Sequence, residues 1–158
     1  SKTGLGKVGQ NGLFIDDKFG SFVFLGEIVT DLEIKEVSSP LGFCITCGKC
    51  IIACPSSALK FKDSNNTFSL DTTICLSALT QKKGELTPEQ EALIKESGCA
   101  WGCDVCQNVC PMNKGIKIQP LDSFREGAEI KARETDISDR AYAWRGEKVI
   151  KRNLNLLK

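Results

Sequence analysis

Residues 44–55 read Cys-Ile-Thr-Cys-Gly-Lys-Cys-Ile-Ile-Ala-Cys-Pro, so four cysteines are separated by two, two and three residues and the last precedes a proline. This is the cysteine spacing of bacterial ferredoxins. Three thiolates two residues apart can surround one iron–sulfur cube, and the fourth, which follows a helical turn, points towards a second cube. The run therefore predicts a pair of [4Fe–4S] clusters.

A second run at residues 103–111, Cys-Asp-Val-Cys-Gln-Asn-Val-Cys-Pro, has the same ending, although its first cysteine is displaced. In ferredoxins of this type the last cysteine of a run ligates the cluster of the other run. The first site then has four predicted ligands: Cys44, Cys47, Cys50 and Cys110. The second site takes Cys54, Cys103 and Cys106, and it needs one more thiolate.

The missing thiolate is either Cys75 or Cys99, and the spacing leaves both open. Cys99 lies next to the place that a regular ferredoxin would use, but one residue too early. Cys75 is distant in sequence, yet it lies near the start of a predicted helix at 74–82 that could fold back over the cluster. If Cys99 is the spare cysteine, we expect a small buried side chain rather than a reactive thiol.

The cysteine statistics favour metal ligation over disulfides. The chain has nine cysteines and no histidine among 158 residues. Disulfide frameworks normally use an even number of cysteines scattered along loops, whereas here eight of the nine fall into two tight groups. Zinc held by thiolates is the alternative, but zinc sites prefer two separated Cys-x2-Cys pairs to triple runs closed by Cys-Pro.

The composition is that of a globular protein, with 41% hydrophobic and 26% charged residues. The net charge of +1 gives no overall attraction to nucleic acid or membrane, so any such contact would need a local patch. No apolar run approaches the roughly 20 residues needed to cross a bilayer, and no secretory signal is recognisable. A monomer located in the cytoplasm is expected, although a targeting segment could precede Ser1.

The N-terminal stretch is rich in glycine and then in β-formers. Strands are predicted at 13–15 and 21–25, with a turn at 18–20. The Gly-x-Gly-x-x-Gly string at 4–9 is a weak match to dinucleotide-binding loops, because no strand precedes it and no helix obviously follows.

Further along, segments 58–62 and 67–71 predict a hairpin with its turn at 64–66. Thr87-Pro88-Glu89-Gln90 predicts a helix start with a capping box, and the helix should end at Gly98. The charged tail, 120–158, is predicted to be helical in two pieces.

Several stretches together resemble one family, epoxyqueuosine reductase, a cobalamin-dependent enzyme family that completes queuosine in tRNA. The most specific of them reads Gly102-Cys103-Asp104-x-Cys106-Gln107-x-Val109-Cys110-Pro111-x-Asn113. The others are Gly4-Leu5-Gly6-x-x-Gly9-x-Asn11, the stretch 24–32 (Phe-Leu-Gly-Glu-Ile-Val-Thr-Asp-Leu), the first cysteine run, and Cys75-x-x-x-Leu79-Thr80 with Lys83-Gly84 and Pro88. The resemblance favours Cys75 over Cys99 as the eighth ligand.

The resemblance implies an α+β fold: a two-cluster [4Fe–4S] ferredoxin-like domain with extra helices, preceded by a strand remnant of a larger domain. Residues 1–37 would be the truncated end of a cobalamin-binding domain, 38–120 the ferredoxin-like domain and 121–158 a basic helical tail. Four residues would form a loop on the cobalamin side: Gly4, Gly6, Gly9 and Asn11.

The function implied is the delivery of single electrons to cobalamin, for reduction of epoxyqueuosine to queuosine in tRNA. The implied partners are the tRNA anticodon region and a low-potential donor such as a flavodoxin or a ferredoxin. The family's larger N-terminal cobalamin domain, with its acidic proton donor, is not part of this sequence. We therefore expect no catalytic residue in the chain and no activity from the chain alone.

Two other functions fit the cysteines: a stand-alone ferredoxin-type carrier, and the cluster domain of a reductive dehalogenase-like protein. The second predicts a twin-arginine export signal, which this sequence does not show. In the tail, basic residues near Tyr142 and Trp144 could contact tRNA phosphates and bases, or could simply form a solvated helix. Trp101 is predicted to cover a cluster, and Asp104 and Gln107 could tune hydrogen bonding around one.

Overall fold

A computed structural model describes residues 5–35, 44–62, 68–117, 122, 126, 128–129 and 131–158. In these parts, the chain forms two small antiparallel hairpins and five α-helices, which agrees with the expected α+β class. The helices are α1 (Lys49–Ile52), α2 (Leu76–Gln81), α3 (Pro88–Ser97), α4 (Val105–Asn108) and α5 (Glu147–Leu156). None of these described helices is long and apolar enough to cross a membrane.

The first hairpin pairs strand β1 (Lys7–Val8) with strand β2 (Phe14–Ile15). Strand β2 confirms part of the predicted strand at 13–15, and Ile15 is buried. The predicted turn is also present, because Asp16 Oδ1 accepts hydrogen bonds from the backbone N–H groups of residues 18 and 19.

The strand predicted at 21–25 is wrong, since residues 22–35 have no helix or strand. Several apolar side chains there are strongly exposed, and Phe24 is 95% exposed. β-forming residues make a strand only when a neighbouring strand takes up their backbone hydrogen bonds, and no described segment pairs with this one.

The second hairpin pairs strand β3 (Leu59–Phe61) with strand β4 (Phe68–Leu70), in the register Leu59 to Leu70. It confirms the hairpin predicted at 58–62 and 67–71, whose turn lies outside the described residues. Helix α1 contacts both β3 and helix α4. A small core of Cys50, Ile51 and Leu59 lies there, with Cys54, Phe68 and Cys106 packed against it. Cys50, Cys54 and Cys106 are thus part of this hydrophobic core.

Helices α2, α3 and α5 form a second layer in which each helix contacts the other two. Each contributes a fully buried aliphatic side chain: Leu79, Ile94 and Ile150. Helix α3 begins with the predicted capping box between Thr87 and Gln90, and it ends at Gly98 in a left-handed conformation.

The tail differs in part from its prediction. Helix α5 confirms one helical piece, and a 3-10 turn at Ala143–Arg145 precedes it. The described residues 131–142 contain no α-helix, and most of 120–130 lies outside the described residues. Two ion pairs of Arg140, with Glu129 and Asp139, hold part of this irregular segment.

Candidate metal centre

The thiol of Cys50 lies close to those of Cys44 and Cys110. Cys50 follows directly after Gly48 and Lys49 at the start of helix α1, and it is buried. Burial raises the pKa of its thiol, and the nearby Cys44 and Cys110 raise that pKa further, because neighbouring thiolates repel one another. The predicted ligands from the two runs therefore meet here, and Cys47 lies on the exposed side of the same loop.

A second group of four thiols lines one small cavity of about 40 Å³. Its cysteines are Cys54, Cys75, Cys103 and Cys106. The rest of the wall includes Pro55, Ala58, Leu59, Leu70 and Leu76. Cys75 reaches the cavity because it immediately precedes helix α2, whose first residue, Leu76, is buried.

The pKa shifts of the thiols in this second group also indicate that these four cysteines lie close together. Burial raises the pKa of Cys106 to about 11, and the neighbouring Cys103, Cys50 and Cys75 add to the increase. Burial also raises the pKa of Cys103, and Cys75 and Cys54 contribute after it. Cys50, a member of the first group, raises the pKa of Cys106, a member of the second. The two groups of thiols are therefore adjacent across the contact between helices α1 and α4.

Cys99 does not line the cavity. Its thiol donates hydrogen bonds to the backbone carbonyls of Trp101, at 3.4 Å, and of Gly102. Burial raises the pKa of Cys99, with smaller contributions from Cys103 and Asp104. Its sulfur is therefore held by the loop that leads into Cys103, whereas Cys75 faces the shared cavity.

The chemistry of both groups fits a cluster bonded through sulfur. Buried free thiols are protonated at neutral pH, and a bound metal removes their protons and neutralises the charge that burial disfavours. Among the described residues, no three histidine, cysteine, aspartate or glutamate side chains form a site for a single metal ion. A single zinc ion draws all four sulfurs to about 2.3 Å from one centre, whereas a cube binds each thiolate to a different iron.

The N-terminal segment packs directly on the cysteine loops. Gln10 is buried and its Oε1 accepts a hydrogen bond of 3.2 Å from the backbone N–H of Gly48. Ser21 exchanges hydrogen bonds with the Asn113 side chain, and its hydroxyl donates to Oε1 of Gln107 at 3.0 Å. The backbone N–H of Lys117 donates to the carbonyl of Lys18. These contacts join residues that are far apart in sequence, so no local pattern predicted them.

Close packing explains why glycine occupies two positions of the loop predicted at residues 4–11. A side chain at Gly6 would collide with Phe14 and with the carbonyl of Ile15, and one at Gly9 would collide with Asn11. Gly4 lies outside the described residues. The described residues that follow the loop form strand β2 rather than a helix, so the dinucleotide interpretation gains no support. A role beside cobalamin stays a prediction.

A buried asparagine on helix α5 supports the loop before Cys103. Asn153 is fully buried, and its Nδ2 donates to the carbonyls of Thr80, at 2.7 Å, and Ala100, at 2.8 Å. The Thr80 hydroxyl accepts a hydrogen bond of 3.0 Å from the backbone N–H of Gly102. This network connects α5, α2 and the second cysteine run, and no local sequence pattern indicated it.

Tyr142 and Trp144, two aromatic residues of the tail, differ in their surroundings. Trp101 and Tyr142 pack against each other with ring centroids 5.6 Å apart, and the Tyr142 hydroxyl accepts a hydrogen bond from the backbone of Arg133. Trp144 is 62% exposed, with the Arg145 guanidinium 3.8 Å above its ring. Arg152 donates to the carbonyls of Lys82 and Gly84 and therefore has a structural role.

Residues 43–113 match the family model described as a 4Fe-4S double cluster binding domain. The epoxyqueuosine reductase of Lactococcus garvieae (strain Lg2) is 36% identical, and the match covers 98% of this chain and 46% of that relative. The solved structure of epoxyqueuosine reductase from Streptococcus thermophilus has a TM-score of 0.72 at 32% identity, covering 99% of this chain and 43% of that one. A crystal structure of epoxyqueuosine reductase with an epoxyqueuosine-modified tRNA-Tyr stem loop also matches, with a TM-score of 0.72 at 28% identity, covering 98% of this chain and 43% of that one.

The matched domain and the two thiol groups define the class: this is an iron–sulfur protein of the double [4Fe–4S] type. The chain spans less than half the length of these relatives, and it matches them along nearly all of its own length. Along that stretch it is similar to epoxyqueuosine reductases, and the double-cluster domain lies within the similar part.

Proposed function

We propose that the chain is the electron-relay part of an epoxyqueuosine reductase-like enzyme. The observation that supports this most directly is the pair of adjacent thiol groups in a chain similar to epoxyqueuosine reductases, with Cys50 and Cys106 at their junction. Two [4Fe–4S] clusters placed side by side can pass electrons singly, whereas reduction of an epoxide needs two electrons.

The ligands of the first cluster are proposed to be Cys44, Cys47, Cys50 and Cys110. Those of the second are proposed to be Cys54, Cys75, Cys103 and Cys106. The shared cavity supports the second set, and the contact of the Cys99 thiol with backbone carbonyls supports its exclusion.

Matched serine variants test this ligand set. Cys75→Ser should lower the iron content by about one four-iron cluster after anaerobic reconstitution, because a cube needs four thiolates. Cys99→Ser is the control, because it removes a half-buried thiol from the same region without touching the cavity. Normal iron in Cys75→Ser together with reduced iron in Cys99→Ser would reverse the assignment.

The proposed reaction removes one oxygen from epoxyqueuosine in tRNA. Two electrons and two protons convert the epoxide into a carbon–carbon double bond and water, and a low-potential flavodoxin or ferredoxin supplies the electrons. Cobalamin, when bound, would supply the reducing cobalt chemistry. The residues of this chain would hold the clusters, exclude water from them through the core around Ile51 and Leu59, and fix their spacing through α1 and α4.

The tRNA is the proposed macromolecular partner, since a similar reductase has been solved with a modified stem loop. Within the tail, Trp144 and Arg145 offer an exposed aromatic surface beside a cation, which suits stacking and phosphate contact. Tyr142 and Arg152 are engaged in internal contacts instead.

The deciding experiment uses the protein that contains this chain at its natural length, reconstituted anaerobically with cobalamin and a low-potential reductant. Mass spectrometry of the tRNA should show that epoxyqueuosine loses one oxygen, and that the loss requires Cys75 but not Cys99. Absence of conversion with both clusters assembled and cobalamin bound would refute the reductase proposal and favour a ferredoxin-type carrier.

A further inference from the structure

The two thiol groups differ in how closely an outside molecule can approach them. All nine cysteines lie in the described part of the chain, and Cys47 alone among them is exposed. The second group, by contrast, lines a small cavity with mainly apolar walls. The first group is therefore the one that an external redox partner can approach most closely.

Exposed apolar side chains lie around the loop that contains this exposed thiol. Helix α1 is a single turn, so Lys49 and Ile52, three residues apart, share one face of it. Ile52 is 80% exposed, and Ile45, at the start of the loop, is also exposed. A Cβ built on Gly48 would lie 2.9 Å from the Phe61 ring, so this half-exposed ring packs directly on the loop. We call this surface the α1 patch, and its members are Ile45, Cys47, Lys49, Ile52 and Phe61.

The charge on and beside the α1 patch is positive. Residues 44–62 contain three lysines and no aspartate or glutamate, and all three lysines are exposed. Lys49 belongs to the patch and Lys62 directly follows its member on strand β3, whereas Lys60 interacts with the Asp71 carboxylate. An apolar centre with a charged rim is the usual composition of a protein–protein interface. A positive rim attracts an acidic partner and speeds its association.

The contents of the patch favour a protein carrier over RNA as its occupant. Positive charge alone suits both, but Ile45 and Ile52 offer a nucleotide neither a flat stacking surface nor a hydrogen-bond donor. They suit the apolar surface of another protein instead. The N-terminal segment already packs on the same loop through Gln10 and the Gly48 backbone, and it leaves both isoleucines exposed.

We propose that the α1 patch is the docking surface for a small acidic electron-carrier protein, which delivers electrons to the first cluster. This rests on the proposed relay function and on the ligand set that assigns Cys47 to that cluster. In each encounter the carrier is oxidised by one electron and the first cluster is reduced by one electron, and no covalent bond forms or breaks. Two encounters supply the two electrons of the proposed reaction. Redox encounters of this kind bury little surface, below roughly 1,200 Å² in total, which fits a patch of this size.

The test uses the reconstituted protein that contains this chain at its natural length. Stopped-flow absorption measures how fast a reduced flavodoxin of net negative charge reduces the clusters. Lys49→Glu should lower the second-order rate constant about tenfold at low salt, because it reverses a charge that steers the carrier. The difference should shrink as salt is added, since ions screen such charges over about 10 Å at 0.1 M. Ile52→Asn should slow the reaction at every salt concentration, because it removes an apolar contact without changing the charge.

Lys95→Glu is the matched control, since it reverses the charge of an exposed lysine on helix α3, in the other layer of helices. It should leave the rate unchanged, and dithionite, which needs no docking, should reduce the clusters equally fast in all variants. Equal rates with flavodoxin in Lys49→Glu, Lys95→Glu and the wild type would overturn the proposal. Slow reduction by dithionite in both patch variants would overturn it too, because the effect would then lie in the clusters. Failure of the wild type to convert epoxyqueuosine with dithionite as the reductant would instead refute the relay function, so the two failures are distinguishable.

A second measurement follows the surface itself rather than electron transfer. An amine-reactive label should modify Lys49, Lys62 and Lys95 in the protein at its natural length, as read by mass spectrometry. An excess of the flavodoxin should protect Lys49 and Lys62 but not Lys95. Protection of Lys49 before any carrier is added would show that another part of the protein covers the patch. Protection by a tRNA anticodon stem loop and not by flavodoxin would assign the patch to RNA, and either result would overturn the proposal.

Discussion

Replacement of Asn153 by alanine should destabilise the junction between helix α5 and the second cysteine run. Asn153 is completely buried, and its two donated hydrogen bonds satisfy the carbonyls of Thr80 and Ala100. Alanine leaves the buried Thr80 carbonyl and the half-buried Ala100 carbonyl without this donor, and each such loss costs about 1–3 kcal/mol. A loss of about 2–6 kcal/mol is therefore expected, before any contribution from the cavity.

Helix propensity would obscure part of this loss, because alanine favours a helix over asparagine by up to about 0.7 kcal/mol. Asn155→Ala removes that ambiguity. Asn155 lies on the same helix, is exposed, and its Oδ1 accepts a hydrogen bond from the Lys158 ammonium. The difference between the two variants reports the hydrogen bonds of Asn153, which include those that its Oδ1 accepts from the Arg152 guanidinium.

The assay is urea unfolding of the protein at its natural length, followed by far-UV circular dichroism and, separately, by the visible absorption of the clusters. Asn153→Ala should unfold at clearly lower urea than Asn155→Ala, and it should lose cluster absorption earlier, because the Gly102 N–H is bound by Thr80 in the same network. If the two variants agree within about 0.5 kcal/mol, which is typical of surface substitutions, the buried network does not stabilise this junction.

Two further predictions concern the glycine before helix α1, Gly48, and the carboxylate of Asp71. Gly48→Ala should lower the iron content of the first cluster and the free energy of unfolding by about 1 kcal/mol or more, because Gly48 has φ 70° and an added Cβ would lie 2.9 Å from the Phe61 ring. Gly84→Ala is the control, since Gly84 has φ 81° but open space around it. Equal iron content in the two variants would contradict the role of the contact with Phe61. The hydroxyl of Thr73 and then its backbone N–H donate to Asp71 and hold the pKa of that carboxyl below its usual value. Ionised Asp71 should therefore stabilise the folded state at pH values above the unfolded-state pKa of about 3.9. This stabilisation should be lost as the pH falls through the lower pKa of the folded state. An NMR titration of Thr73→Val should show the Asp71 pKa rising, and an unchanged pKa would disprove the cause.

The cysteine chemistry was predictable because ligand spacing is a local property. Three thiolates two residues apart, followed by one helical turn, present their sulfurs in a way that depends on a few backbone angles. The same holds for the capping box of Thr87 and Gln90, and for the hairpin that pairs Leu59 with Leu70. In each case the residues that interact are close in sequence, so the pattern alone indicated the structure.

Tertiary structure determined which distant residues reach the thiols. The sequence left Cys75 and Cys99 open, and only the fold places Cys75 in the shared cavity while backbone carbonyls hold Cys99. The strand predicted at 21–25 did not form, and no segment in the part of the chain that the structure describes takes up its backbone hydrogen bonds. Gln10 and Asn153 act across long sequence separations, and their contacts depend on how the N-terminal segment and helix α5 dock on the cysteine core. Local spacing therefore determined the pattern of thiols that this chain offers, and long-range packing determined how they are grouped and what surrounds them.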